Sequence, residues 1–431
     1  MVKSNLELIS DRKRLMGSGI STFYDEPIHL VKGDGIWVWD SGGRRYLDCY
    51  NNVPHVGHCH PKVTEAIYKQ SCQLNTHTRY LHEGIVRYLD KLTSTFFESM
   101  STAILTCTGS EANDLALRMG AVMSGKTGLI ATDHTYHGNT AAVSQLSLTN
   151  SPRIGNKDNI RYVPAPDSYR PLGGKAGMDH GHAFAAEVKK MIEELESSGH
   201  GFSAIIVCPF FANEGFPNLC SGFLDPTVEL VHDAGGILIA DEVQPGFGRL
   251  GSHMWGHQKI GLKPDIVTLG KPMGNGYPIA GVITSPEILN AFQDAFRYFN
   301  TFGGNPVACA AGEAVLDILG EEKLVESALD VGSYSLERLK DLSERYSCIG
   351  DVRGSGLFFG AELVIDSSTR EPDPNLAQKV VNEMRSEGIL INRTGINYNT
   401  LKMRPNMQFS RENADLLVDT LEKVLNRIRK P

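Results

Sequence analysis

The sequence predicts an α/β protein: a large domain built on a mostly parallel, doubly wound sheet, with a small α+β domain beside it. Through the middle of the chain, short apolar runs rich in β-branched residues alternate with segments of helical periodicity. Such alternation favours parallel pairing, because each crossover helix returns the chain to the same end of the sheet. After about residue 315 the alternation stops, and the pattern becomes that of a small α+β unit.

The chain begins with a polar helical segment, followed by two short strands, IWVWD and RYLDC, joined by a Ser-Gly-Gly turn. The clearest strands of the central region are TAILTC (102–107), GLIATD (128–133), SAIIVC (203–208), GILIAD (236–241), DIVTLG (265–270) and AGVITS (280–285). Helical segments such as EANDLALRMGAVM and DPTVELVHDAG lie between several of them.

The last part of the chain predicts helices over 323–346 and 374–387, a strand in GLFFGAELV, a loop containing NRTGINYN and a final helix from about 411. We therefore expect residues 1–60 and 315–431 to form the small domain and residues 61–314 to form the large one.

The composition excludes several classes of partner. A net charge of -8 without any Lys/Arg-rich run gives no basis for nucleic-acid binding. No run approaches 18 consecutive apolar residues, so we expect no membrane span. The 8 cysteines are scattered without a C-x-x-C pair, which is typical of reduced thiols in a cytoplasmic enzyme.

Four of the predicted strands end close to residues with complementary chemistry. GILIAD ends in Asp241, and DIVTLG runs directly into Lys271. TAILTC leads to Gly109 and Ser110 at a helix start, and GLIATD leads to Tyr136. Ligands of open α/β sheets bind outside the carboxyl ends of the strands, so we expect these residues to share one site.

This set of groups matches the needs of pyridoxal 5′-phosphate (PLP). A buried amine, Lys271, can bond to the cofactor aldehyde, and Asp241 can keep the ring nitrogen protonated. The helix start can hold the phosphate, and Tyr136 can stack on the ring. Each residue alone has an ordinary interpretation: a helix cap for Asp241, a solvated Lys271, or capping by Ser110 with Asn113. Their agreement on one edge favours the PLP site.

The sequence resembles the class III PLP-dependent aminotransferases over nearly its whole length. The matching motifs, in the family's order, are TGSEANDLALRM (108–119), YHG (136–138), DEVQPGFGR (241–249), LGKPMGNGYPIA (269–280) and TFGGNP (301–306). The resemblance implies a fold type I enzyme in which Lys271 bonds to the cofactor and Asp241 contacts its ring nitrogen.

The same resemblance implies further cofactor contacts. Gln244 would contact the phenolic oxygen, Val243 would pack on the ring face opposite Tyr136, and His137 of the YHG motif joins the cofactor-binding set. Thr301 would reach the cofactor phosphate of the neighbouring subunit, which implies a homodimer with active sites at the interface. Taken alone, TFGGNP is better explained as a tight turn fixed by its glycines, and the other motifs favour the cofactor contact.

Two segments resemble the phospho-lyase branch of the family, which acts on O-phosphoethanolamine or 5-phosphohydroxy-lysine. YNNVPHVGHCHP (50–61) offers Tyr50 and Asn52 as candidate substrate contacts, and LNTHTRYLHEGIV (74–86) offers His77 and Arg79. A guanidinium can hold a phosphate through two parallel hydrogen bonds, although a capping or interface role for the Arg is an equal alternative. The histidines of the first segment lack a closing ligand pair, so we expect no metal.

The sequence departs from the family pattern at two positions. Cys208-Pro209 stands where the family usually has a Glu after a strand, so one carboxylate beside the site is expected to be missing. Arg404 is present where aminotransferases hold the substrate α-carboxylate and where animal phospho-lyases tend to have Lys. Arg404 therefore argues against O-phosphoethanolamine, which has no carboxylate, unless it contacts the substrate phosphate instead.

The preferred interpretation is a PLP-dependent phospho-lyase in which Lys271 removes the α-carbon proton and the β-phosphate leaves. O-phosphoethanolamine would give acetaldehyde, ammonia and phosphate. A class III aminotransferase using pyruvate or glyoxylate shares the early steps, so the cofactor motifs do not separate these two activities. A PLP-binding protein without turnover is the third hypothesis, and the intact Lys271, Asp241 and Tyr136 argue against it.

Overall fold

The computed structural model of the chain describes residues 3–148 and 157–429. Its strands are β1 (Leu30–Asp34), β2 (Trp37–Asp40), β3 (Arg45–Asp48), β4 (Thr102–Thr106), β5 (Gly128–Thr132), β6 (Ile160–Val163), β7 (Phe202–Val207), β8 (Ile237–Asp241), β9 (Ile266–Leu269), β10 (Ala280–Thr284), β11 (Ile349–Ser355), β12 (Phe358–Asp366), β13 (Glu371–Pro372), β14 (Ile389–Leu390), β15 (Asn392–Thr394) and β16 (Thr400–Met403). Its helices are α1 (Asn5–Met16), α2 (Pro61–Gln73), α3 (Glu83–Thr93), α4 (Gly109–Ser124), α5 (Gly177–Ser197), α6 (Asp225–Asp233), α7 (Gly256–Lys259), α8 (Pro286–Ala295), α9 (Pro306–Glu321), α10 (Leu324–Arg345), α11 (Pro374–Glu387) and α12 (Arg411–Arg429). Short 3₁₀ helices span Val143–Leu146, Leu172–Gly174 and Lys271–Gly274.

The six predicted strands of the middle region form, together with the unpredicted β6, one seven-stranded sheet in the order β4-β10-β9-β8-β7-β5-β6. Neighbouring strands pair in parallel except at β10, which runs antiparallel to both β4 and β9. The predicted mostly parallel sheet is therefore confirmed, and AGVITS is its antiparallel member.

Helices cover both faces of this sheet. Ile237 and Ile239 of β8 pack with α4 in one buried cluster, whereas Leu238 packs with α5 and α6 in another. Successive side chains of a strand point to opposite faces, so a strand that is apolar throughout needs cover on both sides. All five residues of β8 are buried, as the doubly wound α/β class predicts.

The parallel strands determine where the candidate site lies. Because β5, β7, β8 and β9 run in the same direction, their carboxyl ends meet at one edge of the sheet. Asp241 is the last residue of β8, and only Gly270 separates β9 from Lys271. The sheet thus delivers the carboxylate and the amine from adjacent strands.

Two smaller sheets come from the outer parts of the chain. Leu47 of β3 pairs in parallel with Ile389 of β14, so the first and last segments share a sheet ordered β1-β2-β3-β14. A further sheet contains β11-β12-β16-β15, with β13 beside β12. This arrangement agrees with a small domain built from both chain ends, and its boundaries near residues 60 and 314 stay a prediction.

The C-terminal elements were predicted with mixed success. The helix predicted over 374–387 is α11, and the helix predicted over 323–346 is α10. The loop prediction for NRTGINYN is wrong at its start, since this segment opens with β15, and β1, β6, β11, β13, β14 and β16 were not predicted. Except for β11, these strands are only two to five residues long, which is too short to display a two-residue period.

Candidate active site

A cavity of about 280 Å³ opens at the carboxyl edge of the central sheet. The cofactor candidates among the residues that line it are Gly109, Ser110, Tyr136, His137, Asp241, Val243, Gln244 and Lys271. Residues from four separate strand ends and from one helix start therefore meet in a single space, as the strand-end argument predicts.

Asp241 is held by three donors. The side-chain amide of Asn113 lies 3.0 Å from Oδ2, Nδ1 of His137 lies 2.6 Å from the same oxygen, and the backbone N–H of Val243 lies 3.0 Å from Oδ1. Burial alone would raise the pKa of Asp241, but the hydrogen bond and charge of His137 outweigh it and bring the pKa below its usual value. The carboxylate is therefore kept ionised inside the protein.

The protonation pattern of His137 follows from its neighbours. An ionised carboxylate only accepts hydrogen bonds, so Nδ1 of His137 carries the proton that it shares with Asp241. Nε2 lies 2.8 Å from the hydroxyl of Thr135, which can donate to it. The backbone carbonyl of His137 accepts a 2.7 Å hydrogen bond from Asn113, so the ring and the carboxylate are fixed together.

Lys271 opens a 3₁₀ helix at the end of β9 and reaches the same cavity. Its side chain is accessible from the cavity while protein surrounds it on most sides. Burial lowers the pKa of Lys271 below the usual lysine value, although the nearby Asp241 acts in the opposite direction. A larger share of neutral amine, which is the nucleophilic and basic form, is therefore present at neutral pH.

The N-terminus of α4 supplies an anion site beside these two residues. The first N–H groups of a helix lack intrahelical acceptors, and Gly109 and Ser110 are the first two residues of this one. A Cβ at Gly109 would lie 3.1 Å from Cγ2 of Val243, so a side chain there would crowd the cavity wall. The helix is capped by Thr108 together with Glu111, so the alternative role of Ser110 and Asn113 as a cap is excluded.

Tyr136 and Val243 contribute an aromatic and an aliphatic wall. Tyr136 lines the cavity, and its hydroxyl donates to Oδ1 of Asn139 at 2.9 Å. Val243 follows the strand end by two residues and is almost fully buried. Both positions suit packing against a flat ring.

Gln244 lies at a junction between the cavity and a buried pair of cations. Its Nε2 donates to Oδ1 of Asn213 at 3.1 Å, and its Oε1 accepts from Lys402 at 3.2 Å and from Arg404. Arg404 also donates to the backbone carbonyl of Tyr50, from Nε at 3.3 Å and from Nη2 at 3.2 Å. Within residues 3–148 and 157–429, neither cation forms an ion pair with a carboxylate.

The family model described as aminotransferase class-III matches residues 21–425. The chain belongs to this family. The Drosophila melanogaster protein named alanine–glyoxylate aminotransferase 2-like is 41% identical, over 96% of this chain and 85% of its own length. The Caenorhabditis elegans ethanolamine-phosphate phospho-lyase homolog 1 is 36% identical, over 100% of this chain and 95% of its own.

A solved structure carries the likeness into three dimensions. A phospholyase from Arthrobacter in complex with phosphoethanolamine has a TM-score of 0.94 and 41% identity, covering 98% of this chain and 100% of that one. Class III enzymes depend on PLP, so this chain is a PLP-dependent enzyme, and the predicted cofactor and family are confirmed.

The residues present fit this cofactor. The buried carboxylate of Asp241 suits a protonated ring nitrogen, the amine of Lys271 suits an aldehyde, and the start of α4 suits a phosphate. Gly138 has a φ of +144°, and a Cβ there would lie 2.5 Å from Oγ of Ser110. A glycine is therefore required where the YHG loop meets the start of this helix.

A second, larger cavity of about 840 Å³ adjoins the first at Lys271. Tyr50, Asn52 and Arg404, all predicted to contact substrate, line it, as does Arg12 of α1. The Nδ2 atom of Asn52 is buried, and no described residue is bonded to it. The space is therefore suited to a small molecule that reaches Lys271 from the side of α1.

The other predicted contacts lie elsewhere in the chain's own fold. His77 stacks on Tyr80 with ring centroids 5.1 Å apart, and the guanidinium of Arg79 lies 3.8 Å above the ring of Phe299. Neither residue lines the two cavities in the part of the chain that the structure describes. Thr301 is exposed and lines neither cavity in the described part of the chain, and its role toward a neighbouring subunit stays a prediction.

The histidines of segment 50–61 point to separate partners rather than to one metal. His55 contacts Arg249 and the carbonyl of Phe247, while His58 pairs with Asp48 and His60 with Glu322. Across the described ranges, no group of three or more metal-binding side chains is placed to hold an ion. The same ranges contain no helix with both the length and the apolar character needed to cross a bilayer.

Sequence reasoning missed several site residues. Cys208 lines the first cavity, as expected. Sequence reasoning did not foresee that Glu214 supplies a buried carboxylate nearby, where it accepts a 2.6 Å hydrogen bond from Thr132. Asn113 holds Asp241 from within α4, and Lys402 holds Gln244 from β16. An asparagine in the first turns of a predicted helix was an available signal, because asparagine is disfavoured inside helices unless its side chain has a partner.

Proposed function

We propose that this class III enzyme eliminates phosphate from a phosphorylated amine; with O-phosphoethanolamine, water then hydrolyses the elimination product, and the overall products are acetaldehyde, ammonia and phosphate. The observation that carries the proposal is the buried Arg404 in the cavity that also contains Lys271, without a carboxylate partner among the described residues. Its guanidinium donates to Gln244 and to the carbonyl of Tyr50, which leave its charge uncompensated, and a phosphate offers it more charge than a carboxylate does.

Four residues of the site have definite tasks in this reaction. Bound PLP supplies an aldehyde that captures the substrate amine and a ring that withdraws electrons from the α-carbon. Asp241 holds the proton on the ring nitrogen, and Lys271, with its lowered pKa, takes the α-carbon proton. Arg404 and Asn52 orient the phosphate so that it leaves as the proton is removed.

The comparisons support both this proposal and one alternative. The Arthrobacter protein is a phospholyase in complex with phosphoethanolamine, and the Caenorhabditis relative is named for the same substrate. The Drosophila relative is named for alanine–glyoxylate aminotransfer, and it is as similar to this chain in sequence as the Arthrobacter protein is, at 41% identity. Arg404 would also suit a substrate carboxylate, so transamination to pyruvate or glyoxylate is the second candidate function.

We further propose that the active unit is a homodimer. The side chain of Phe302 is 70% exposed, and the apolar residues Tyr80 and Leu81 are exposed beside segment 299–304. Exposed apolar surface of this kind is typical of an interface. In such a dimer, Thr301, His77 and Arg79 would act in the neighbouring subunit's active site, which explains why they lie outside the chain's own cavities.

A direct comparison of substrates tests the reaction. Purified holoenzyme is incubated with O-phosphoethanolamine, and phosphate and acetaldehyde are measured, with ethanolamine as the matched substrate that lacks the leaving group. We expect stoichiometric phosphate and aldehyde without any keto acid. Amination of pyruvate or glyoxylate without phosphate release would support the aminotransferase, and cofactor binding without either reaction would support a protein without turnover.

The cellular location is a separate proposal. The scattered cysteines favour a reducing compartment, and we propose the cytoplasm. Microscopy of the full chain fused to a fluorescent protein at either terminus tests this, and a signal confined to an organelle would contradict it.

A further inference from the structure

Lys402 is a buried lysine that the proposed reaction does not use. It lies on β16 with 3% of its surface exposed, and it is not among the described residues that line either cavity. Its ammonium donates to the carbonyl of Ala212 at 2.9 Å and to Oε1 of Gln244 at 3.2 Å. Burial and the neighbouring Arg404 lower the pKa of Lys402 well below the usual lysine value.

These contacts determine which way the Gln244 amide faces. The guanidinium of Arg404 only donates hydrogen bonds, and the amine of Lys402 donates to Ala212 and to Gln244, so the amide oxygen of Gln244 is the atom that faces both side chains. The NH₂ group of Gln244 must then point away from both cations. It donates to Asn213, and both Gln244 and Asn213 line the cavity that holds Lys271 and Asp241.

We infer that Lys402 is a positioning residue that, through Gln244, directs a hydrogen-bond donor at the phenolic oxygen of the bound cofactor. Without this constraint the amide could rotate and present its oxygen to an oxygen that carries negative charge, which is repulsive. The inference rests on the cofactor contact assigned to Gln244, and it is independent of the choice between elimination and transamination.

The inferred role has a spectroscopic consequence. When the nitrogen that links Lys271 to the cofactor is protonated, the phenolic oxygen shares that proton. When the nitrogen is deprotonated, the oxygen bears its full charge and depends most on the Gln244 donor. The donor therefore favours the deprotonated linkage, and weakening it should raise the pH at which the visible absorbance of the holoenzyme changes.

A purely structural role for Lys402 predicts a different pattern. Lys402→Met removes a donor from the Ala212 carbonyl and from Gln244, so a purely structural role predicts a lower melting temperature and an unchanged absorbance transition. Lys259 offers a matched control, because burial also lowers its pKa and it lies outside the two cavities. Lys402→Gln serves as a second variant if the methionine variant does not fold.

The experiment is a double-mutant cycle on substrate-free holoenzyme, read by absorbance titration. We expect Lys402→Met and Gln244→Leu each to raise the transition by roughly 0.5–1 pH unit, and Lys259→Met to leave it in place. In the double variant, the Lys402 change should add nothing to the Gln244 change, because it acts through that residue. Additive shifts would show that the charge of Lys402 acts on the cofactor directly and not through Gln244, and they would overturn the inference.

The remaining outcomes are equally decisive. Gln244→Leu without any shift would remove the cofactor contact on which the inference rests. A shift in Gln244→Leu with none in either Lys402 variant would show that Arg404 alone orients the amide. Phosphate release is not measured in these titrations, so their outcome does not depend on whether the proposed reaction is correct.

Discussion

Nδ1 of His137 lies 2.6 Å from Oδ2 of Asp241, so the imidazole donates a hydrogen bond to the carboxylate that is assigned to the cofactor ring. Asn113 ties the two residues together by donating to the carbonyl of one and the carboxylate of the other. This relationship offsets the burial that would otherwise raise the pKa of Asp241. The ionisation of Asp241 thus depends on an identifiable neighbour.

Replacing His137 should therefore weaken cofactor binding as the pH falls. In the wild type, the pKa of Asp241 lies below the usual value of 3.8, so the carboxylate stays charged at all higher pH values. In His137→Phe the donor is lost, the pKa rises, and we expect the pH of cofactor loss to rise by about one unit. Cofactor retention after desalting at a series of pH values measures this. His137→Gln keeps a donor and should show a smaller change, and equal retention in all three proteins would contradict the argument.

Lys271→Ala should abolish turnover without abolishing the fold. We expect phosphate release to fall by at least about 10³-fold and the visible absorbance of the covalently held cofactor to disappear. Added methylamine should restore part of the activity, since a small amine can replace the missing base. Lys259→Ala is the control, and a variant of Lys271 that still turned over would contradict the assignment.

The pH profile carries an additional test of Lys271. Because burial lowers its pKa from 10.5, the neutral amine becomes available at lower pH than in an ordinary lysine. The rising limb of kcat with pH should therefore have its midpoint below 10.5. A midpoint at the ordinary lysine value would contradict the effect of burial.

The approach of Asp241 and Lys271 to one site was predictable, whereas the contact that orients Gln244 was not. Asp241 and Lys271 each follow an apolar run directly, and parallel strands bring such ends together whatever the rest of the fold does. The contact between Lys402 and Gln244 spans 158 residues and depends on the pairing of β16 with β12. A four-residue strand is too short to show the periodicity from which this pairing could be predicted.

Arg79 shows a different limit of sequence reasoning. Its motif predicts an anion contact, but a motif does not tell whether the anion belongs to the same subunit or to its neighbour. The structure places Arg79 over Phe299, beside the exposed Thr301 and away from Lys271. The sequence thus predicts the chemistry of Arg79 and leaves its subunit open.

Arg404→Met should weaken substrate binding more than it affects the fold. A charged hydrogen bond to the substrate anion would be lost, and we expect KM for O-phosphoethanolamine to rise by about 10–100-fold. Arg404→Lys keeps the charge but loses the two-pronged geometry, so its effect should be smaller. Arg411→Met, which removes an exposed ion pair with Asp330, is the control. An unchanged KM would place the substrate anion elsewhere.

Phe302→Asp tests the proposed homodimer. A charge in the centre of an apolar contact should lower the dimer association constant by at least about 30-fold, and cofactor retention should fall because Thr301 no longer reaches the second site. Analytical ultracentrifugation measures the assembly, with Leu416→Asp on α12 as the exposed apolar control. If both variants remain dimeric, the interface lies on another surface.

His55 and Arg249 form a fully buried contact whose loss should destabilise the fold. Nη2 of Arg249 donates to Nδ1 of His55 at 3.0 Å, and Nε2 of His55 donates to the carbonyl of Phe247 at 2.6 Å. Burial and the nearby Arg249 hold the pKa of His55 well below 6.5, so the ring is neutral. His55→Phe removes the acceptor for a buried guanidinium, and we expect the free energy of unfolding to fall by about 2–4 kcal/mol.

The same pair predicts how stability changes with pH. A group whose pKa is depressed in the fold contributes stability that is complete above its unfolded pKa and is lost as the pH falls toward its folded pKa. Because the unfolded chain takes up a proton on His55 below about pH 6.5, the wild type should lose stability from about pH 7.5 to about pH 5. His55→Phe removes this contribution, so its stability should depend less steeply on pH, whereas His253→Phe at an exposed position should behave as the wild type does. Urea unfolding at several pH values measures both slopes, and parallel curves for the wild type and the His55 variant would show that this histidine is not protonated on unfolding.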